Sequence, residues 1–207
     1  MNVVTGSSTM GPKAQQPQRV GLYGGSFDPL HLGHLLVAQA AFEENQLDRL
    51  IFIPTARSPF KPNSLPAPAP LRAAMLRRAL AGLRHFEVDT LEIERGGISY
   101  SIDTVRTYQQ RYPNAQFFWL IGADHVAQLS DWRESEVLAQ AVTFIVIPRP
   151  GQSETTRPLP WKLVQLRGWP LKVSSSEIRT RISQGLPISH LVPPTVDETI
   201  TLEKLYT

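Results

Sequence analysis

The chain has 207 residues, of which 42% are hydrophobic, enough for one α/β domain with a sizeable core or for such a domain with a small appendage. It has no cysteine, which excludes disulfides, thiolate catalysis and cysteine-ligated zinc. Formal net charge is +3, sixteen of the 21 basic residues are arginine, and no basic run carries interleaved aromatics, so nucleic-acid binding is not favoured; the arginine excess suits bidentate phosphate recognition, with codon bias as its plain explanation.

The longest apolar runs, such as Val142 to Ile147, are far too short to span a bilayer, so no membrane association is expected. Residues 1–18 are polar and lack the apolar core of a signal peptide. They read as a disordered extension ahead of a single domain over 19–207, with the cytoplasm as the expected setting.

The first patterned stretch is the most informative. Val20 to Tyr23 is an apolar strand, Gly24-Gly25-Ser26-Phe27-Asp28-Pro29 is a glycine-led turn, and a helix runs from His34 to near Asn45. Strand, glycine turn and helix N-terminus together form a phosphate-binding layout, because backbone N–H groups and the helix dipole face the same place. His31 and His34, three apart on the first turn, share a face and can each offer a ring N–H to an oxyanion. No Lys-Ser/Thr follows the glycines and no third glycine completes GxGxxG, so neither common nucleotide fingerprint is present.

Gly24 to His34 resembles the GxFDPxHxGH signature of the HxGH nucleotidyltransferases, which transfer a nucleoside monophosphate from a nucleoside triphosphate and release pyrophosphate. The resemblance implies a Rossmann-like doubly wound α/β fold with a parallel sheet and a C-terminal helical part.

Leu50 to Ile53 reads as a buried strand, and the six prolines between Pro54 and Pro70 as a loop. Lys61 in that loop can reach phosphate; the family's P-x-K segment implies that it faces the triphosphate. Leu71 to Leu83 is an amphipathic helix with Arg72, Arg77 and Arg78 on its polar side. Phe86–Val88 and Leu91–Ile93 both alternate like short extended segments.

Ser101 reads as the N-cap of a helix running to Arg111, ended by Pro113. The stretch Ser99 to Thr104 resembles the SYT-x-DT segment of the bacterial nicotinate-nucleotide adenylyltransferases, with Ser101 where that family has Thr; this implies a place beside the pyridine ring. Phe117 to Ile121 is a buried strand that delivers Gly122-Ala123-Asp124 at its carboxyl end, where ligands of open α/β sheets bind. Asp124 can accept ribose hydroxyls, and the family's G-x-D implies that it does. The family's L-x-x-W implies that Trp132 stacks on the pyridine. Arg149, at the end of a strand over Val142–Ile147, can meet the substrate's anion, as the family's R-x-G implies. Residues 151–170 read as loop, with a strand possible at Leu163 to Leu166.

Val173-Ser174-Ser175-Ser176-Glu177-Ile178-Arg179 is the second motif. The serines cap a helix running through Ile182 and ended at Gly185, and Arg179 sits one turn inside. It resembles the family's ISST-x-IR, with Val173 for Ile and Ser176 for Thr, which implies that Ser174, Ser175, Ser176 and Arg179 hold the β- and γ-phosphates opposite His31 and His34. A last helix is expected through Tyr206. The resemblance covers Arg19 to Tyr206.

It implies adenylyl transfer from ATP to nicotinate mononucleotide. His31, His34, Lys61 and Arg179 would be catalytic, and Gly24, Gly25, Ser26, Phe27, Gly122 and Asp124 would join the histidines and serines in binding ATP. Ser101, Trp132 and Arg149 would bind the mononucleotide. Mg²⁺ is expected, held mainly by the ATP phosphates rather than by protein ligands. The alternatives are a preference for nicotinamide mononucleotide, dual specificity, or a non-catalytic nucleotide-binding or RNA-binding protein on the same fold. His31 argues against a phosphopantetheine adenylyltransferase, which carries Thr there, and the second motif argues against glycerol and choline cytidylyltransferases, which read RTxGISTT.

Overall fold

The computed structural model describes residues 17–60, 65–148, 160–169 and 171–207. Six strands form one parallel sheet: β1 (Arg19–Gly25), β2 (Arg49–Pro54), β3 (Phe86–Val88), β4 (Gln116–Gly122), β5 (Val142–Ile147) and β6 (Leu163–Gln165). Their order is β3-β2-β1-β4-β5-β6, so the chain winds outward from β1 in one direction and from β4 in the other. This is the expected Rossmann-like, doubly wound α/β fold.

Both sheet faces are covered, which explains the nearly unbroken apolar strands. Alternation sends Leu50, Phe52, Phe118, Leu120 and Ile145 to one core and Ile51, Ile53, Trp119, Ile121, Phe144 and Val146 to the other. The first core is closed by α1 (Leu32–Glu44), α2 (Ala69–Leu80), α6 (Ser175–Ser183) and α7 (Pro194–Leu202), the last two being the expected C-terminal helical part. The second is closed by α3 (Leu91–Arg95), α4 (Ser101–Arg111), a 3-10 helix (Ala123–Asp131) and α5 (Ser135–Ala141).

Several expectations are corrected. Leu91–Ile93 is not extended but lies in the one-turn helix α3. Asp89 Oδ1 accepts the Leu91 N–H at 2.9 Å and Gly96, at φ 71°, ends the turn, so local capping overrides a short alternating pattern. Helix α1 starts at Leu32, which makes His31 its N-cap rather than a first-turn residue. Tyr100, not Ser101, caps α4. Helix α7 stops at Leu202, and Lys204 and Tyr206 then take positive φ, bringing the chain back toward the first motif. Arg72, expected on a polar helix face, is 1% exposed, whereas Arg77 and Arg78 are exposed. Of the extension expected over 1–18, residues 1–16 lie outside the described residues, as does most of the loop expected over 151–170.

Candidate active site

Strand β1 pairs with β2 up to Gly25↔Pro54, but its register with β4 runs only from Arg19↔Gln116 to Leu22↔Trp119. The carboxyl ends of β1 and β4 therefore part where the winding direction reverses, the switch point at which such sheets hold ligands.

Gly24 and Gly25 end β1, and the left-handed residue of the turn is Phe27, at φ 46°. Close packing explains the glycines: a Cβ on Gly24 would stand 3.1 Å from Trp119 Cζ2, and one on Gly25 3.1 Å from Phe27 Cζ. Phe27 itself is 2% exposed, held among Tyr23, Phe52 and His34.

Past Gly25, three loop carbonyls are taken by side chains from elsewhere. Ser26 O accepts from Arg72 Nη1 at 2.7 Å, Asp28 O from Arg179 Nη1 at 2.7 Å, and Pro29 O from Ser175 Oγ at 2.9 Å. The last bond joins residues 146 apart in sequence, so the two motifs do meet. Ser174 is the N-cap of α6 and accepts the Glu177 N–H, while Ser176 Oγ accepts from Arg179 Nη2 at 3.3 Å.

The histidine rings stack with centroids 3.7 Å apart. The His31 backbone N–H donates to His34 Nδ1 at 3.2 Å, which assigns the ring proton of a neutral His34 to Nε2. His31 is 7% exposed, and burial pushes its imidazole down to about 4, so it is neutral at physiological pH. Gly33 between them is needed for room: a Cβ there would lie 2.9 Å from Val173 Cγ1 and 3.0 Å from His31 Nδ1.

Asp28 is 6% exposed and connects the parts. Its Oδ1 accepts from the Ala67 N–H at 2.9 Å and from the Tyr206 hydroxyl at 2.7 Å, and its Oδ2 lies 3.6 Å from Arg179 Nη1. Burial, then the hydrogen bond to Asp28, raise the Tyr206 phenol, which stays protonated as the donor. Sequence reasoning missed both Tyr206 and Arg72.

Gly122 ends β4, and Asp124 follows in the first turn of the 3-10 helix, half exposed just past the carboxyl end of that strand. Trp132 ends that helix with ring centroids 5.5 Å from Phe60 and 6.2 Å from Phe144; its indole N–H is buried with no partner among the described residues. Ser101 is the first residue of α4. The segment before it is tied to the end of β2: the Ser99 N–H donates to Arg57 O, and Ser99 Oγ accepts the Ala56 N–H. Ser101 and Trp132 thus sit with the second core, whereas the histidines and α6 sit with the first. Lys61 and Arg149 lie outside the described residues.

The site combines a stacked histidine pair in which His31 is neutral, a loop with the Ser26, Asp28 and Pro29 carbonyls occupied, and a helix N-terminus rich in hydroxyls. It can present many donors to a polyphosphate. The model of the cytidylyltransferase-like family matches residues 22–181. A probable nicotinate-nucleotide adenylyltransferase of Opitutus terrae is 42% identical over 177 residues, covering 84% of this chain and 91% of the relative. Its counterpart in Shouchella clausii is 41% identical over 193 residues, covering 91% and 97%. The solved structure of Plasmodium falciparum nicotinic acid mononucleotide adenylyltransferase complexed with NaAD shares the fold with a TM-score of 0.77 at 20% identity, covering 91% of this chain and 97% of that one. The chain belongs to the cytidylyltransferase-like family and, within it, to the nicotinate-nucleotide adenylyltransferases.

Proposed function

We propose that the protein transfers AMP from ATP to nicotinate mononucleotide, giving nicotinate adenine dinucleotide and pyrophosphate, a step of NAD synthesis. The observation that carries this reading is the meeting of the two motifs, through Arg179 on Asp28 O and Ser175 on Pro29 O, at the switch point of the sheet. The relatives' names supply the acceptor.

A phosphate oxygen of the mononucleotide attacks the α-phosphorus, a P–O bond forms to it, and the bond to the β-phosphate bridging oxygen breaks as pyrophosphate leaves. The attacking group is already anionic, so no enzyme nucleophile is required. Catalysis is then positioning and stabilisation of developing charge. His34 donates from Nε2 to phosphate oxygens, and His31 adds a neutral dipole that does not titrate through physiological pH. The N–H groups over Gly24 to Phe27 line the α-phosphate. Ser174, Ser175, Ser176 and Arg179, with Lys61, hold the β/γ end, and Gly122 and Asp124 receive the nucleotide ribose. Ser101, Trp132 and Arg149 serve the mononucleotide, Trp132 by stacking and through its buried indole N–H.

Among the described residues no group of three or more His, Asp or Glu side chains is placed to hold a metal ion, and both Asp28 oxygens already face donors. These residues do not fit a resident metal site. Magnesium enters with ATP as the counter-ion of its phosphates. The substrates are small molecules and the reaction calls for no nucleic acid. Among the described residues no helix is long and apolar enough to cross a membrane. A cytoplasmic setting goes with this reading.

The test is pyrophosphate release from ATP and Mg²⁺ with nicotinate and nicotinamide mononucleotide in parallel. A strong preference for the acid is expected. Equal rates would make the enzyme dual-specific, and release with neither would overturn the assignment.

A further inference from the structure

We propose that Arg72 is a positioning residue for the transfer: it turns the Ser26–Phe27 peptide so that the Phe27 N–H faces the crevice where the α-phosphate lies. This rests on the adenylyl-transfer reading and adds a residue outside both motifs. Arg72 divides its donors among three main-chain carbonyls: Nε to Ala67 O at 2.9 Å, Nη1 to Ser26 O at 2.7 Å and Nη2 to Thr55 O at 2.8 Å. These acceptors come from the motif loop, the residue after β2 and the approach to α2. A rigid planar fork can satisfy all three at once; the compact ammonium of a lysine cannot.

The orientation follows from peptide geometry. Among the described residues only Asp28-Pro29 is cis, so the Ser26–Phe27 peptide is trans and its C=O and N–H point in opposite directions. With Ser26 O drawn into the buried guanidinium, the Phe27 N–H is directed away from it. A left-handed φ at a non-glycine residue is costly, because its Cβ crowds the neighbouring carbonyl oxygen. At Phe27 that cost is opposed by the Arg72 bond on one side of the peptide and the buried phenyl ring on the other. With Ser26 O on Arg72, Asp28 O on Arg179 and Pro29 O on Ser175, three carbonyls of the loop are held by donors rather than left to meet an approaching anion.

The test labels the eight phenylalanines with ¹⁵N and identifies the Phe27 amide by its loss in Phe27→Leu. ATP with Mg²⁺ is then added without any mononucleotide. In the wild type the Phe27 amide is expected to shift. In Arg72→Lys that shift is expected to fall by half or more while the other phenylalanine amides stay in place. Its kcat should fall about tenfold or more, short of the ~10²–10³ for outright loss of an oriented donor, with KM for the mononucleotide little changed. Arg72→Gln, which keeps an amide donor for Ser26 O, is the milder second variant and should fall between. A wild-type Phe27 amide that ignores ATP overturns the proposal whatever the variants do. So does a folded variant that keeps the shift and kcat while losing only thermal stability. ATP alone is used, so failure of this placement is separate from failure of the acceptor assignment. Turnover without a Phe27 shift sinks the placement only; a shift without turnover on either pyridine mononucleotide sinks the acceptor only.

Discussion

The hydroxyl of Tyr206 donates to Asp28 Oδ1 at 2.7 Å, across 178 residues of sequence. The penultimate residue of the chain thereby helps to hold the loop that carries the first motif. Tyr206→Phe should leave Asp28 with only the Ala67 N–H on Oδ1. A hydrogen bond to a charged group contributes about 1.5–3 kcal/mol, so a loss near 2 kcal/mol in urea unfolding is expected. Turnover should fall only a few-fold, because Tyr206 does not touch the phosphates in this account. Unchanged stability would mean that the contact contributes nothing.

His34→Ala should lower kcat by ~10²–10³, the usual effect of losing one donor to developing charge, with a melting temperature close to that of the wild type. Steady-state kinetics beside thermal unfolding separates the two effects. Near-normal turnover would remove His34 from the mechanism.

His31 makes stability depend on pH. The unfolded imidazole titrates near 6.5 and the buried one at about 4, so the folded state binds fewer protons between these values. The stabilisation is fully present above pH 6.5, is lost as pH falls toward 4, and declines no further below that. The full shift corresponds to about 3 kcal/mol. Urea midpoints measured from pH 7 to 4 should show the decline, and His31→Gln should flatten it.

Gly33→Ala should push α1 and Val173 apart, because the new Cβ would stand 2.9 Å from Val173 Cγ1. Overpacking of this kind costs about 1–3 kcal/mol. Val173 leads into the serines of α6, so KM for ATP should rise as stability drops. A variant with wild-type KM would show that the two motifs need not keep this spacing.

Much of this molecule was legible in its residues. Strand β5 spans Val142–Ile147 as read, β6 falls within the expected Leu163–Leu166, and the serine motif caps a helix ending near Gly185. The glycine turn, the paired histidines and the capping serines stand in short contiguous motifs, so the elements that carry them are legible without tertiary contacts. What stayed hidden depends on tertiary contact. Arg72 precedes the buried Met75 and Leu76 by three and four residues, so helical spacing did place it on the apolar face; its charge outweighed that signal. Nothing in sequence announces that Tyr206 folds back onto Asp28, since two positive-φ residues after α7 set that path. The turn of α3 is not legible in the sequence, because three alternating residues fit strand and helix equally well.

The most direct test of the central claim follows the label of α-³²P ATP through a single turnover with excess enzyme and nicotinate mononucleotide. The account predicts that the label moves into nicotinate adenine dinucleotide as unlabelled pyrophosphate is released. Label that remains in ATP, or that appears in free AMP, would contradict it.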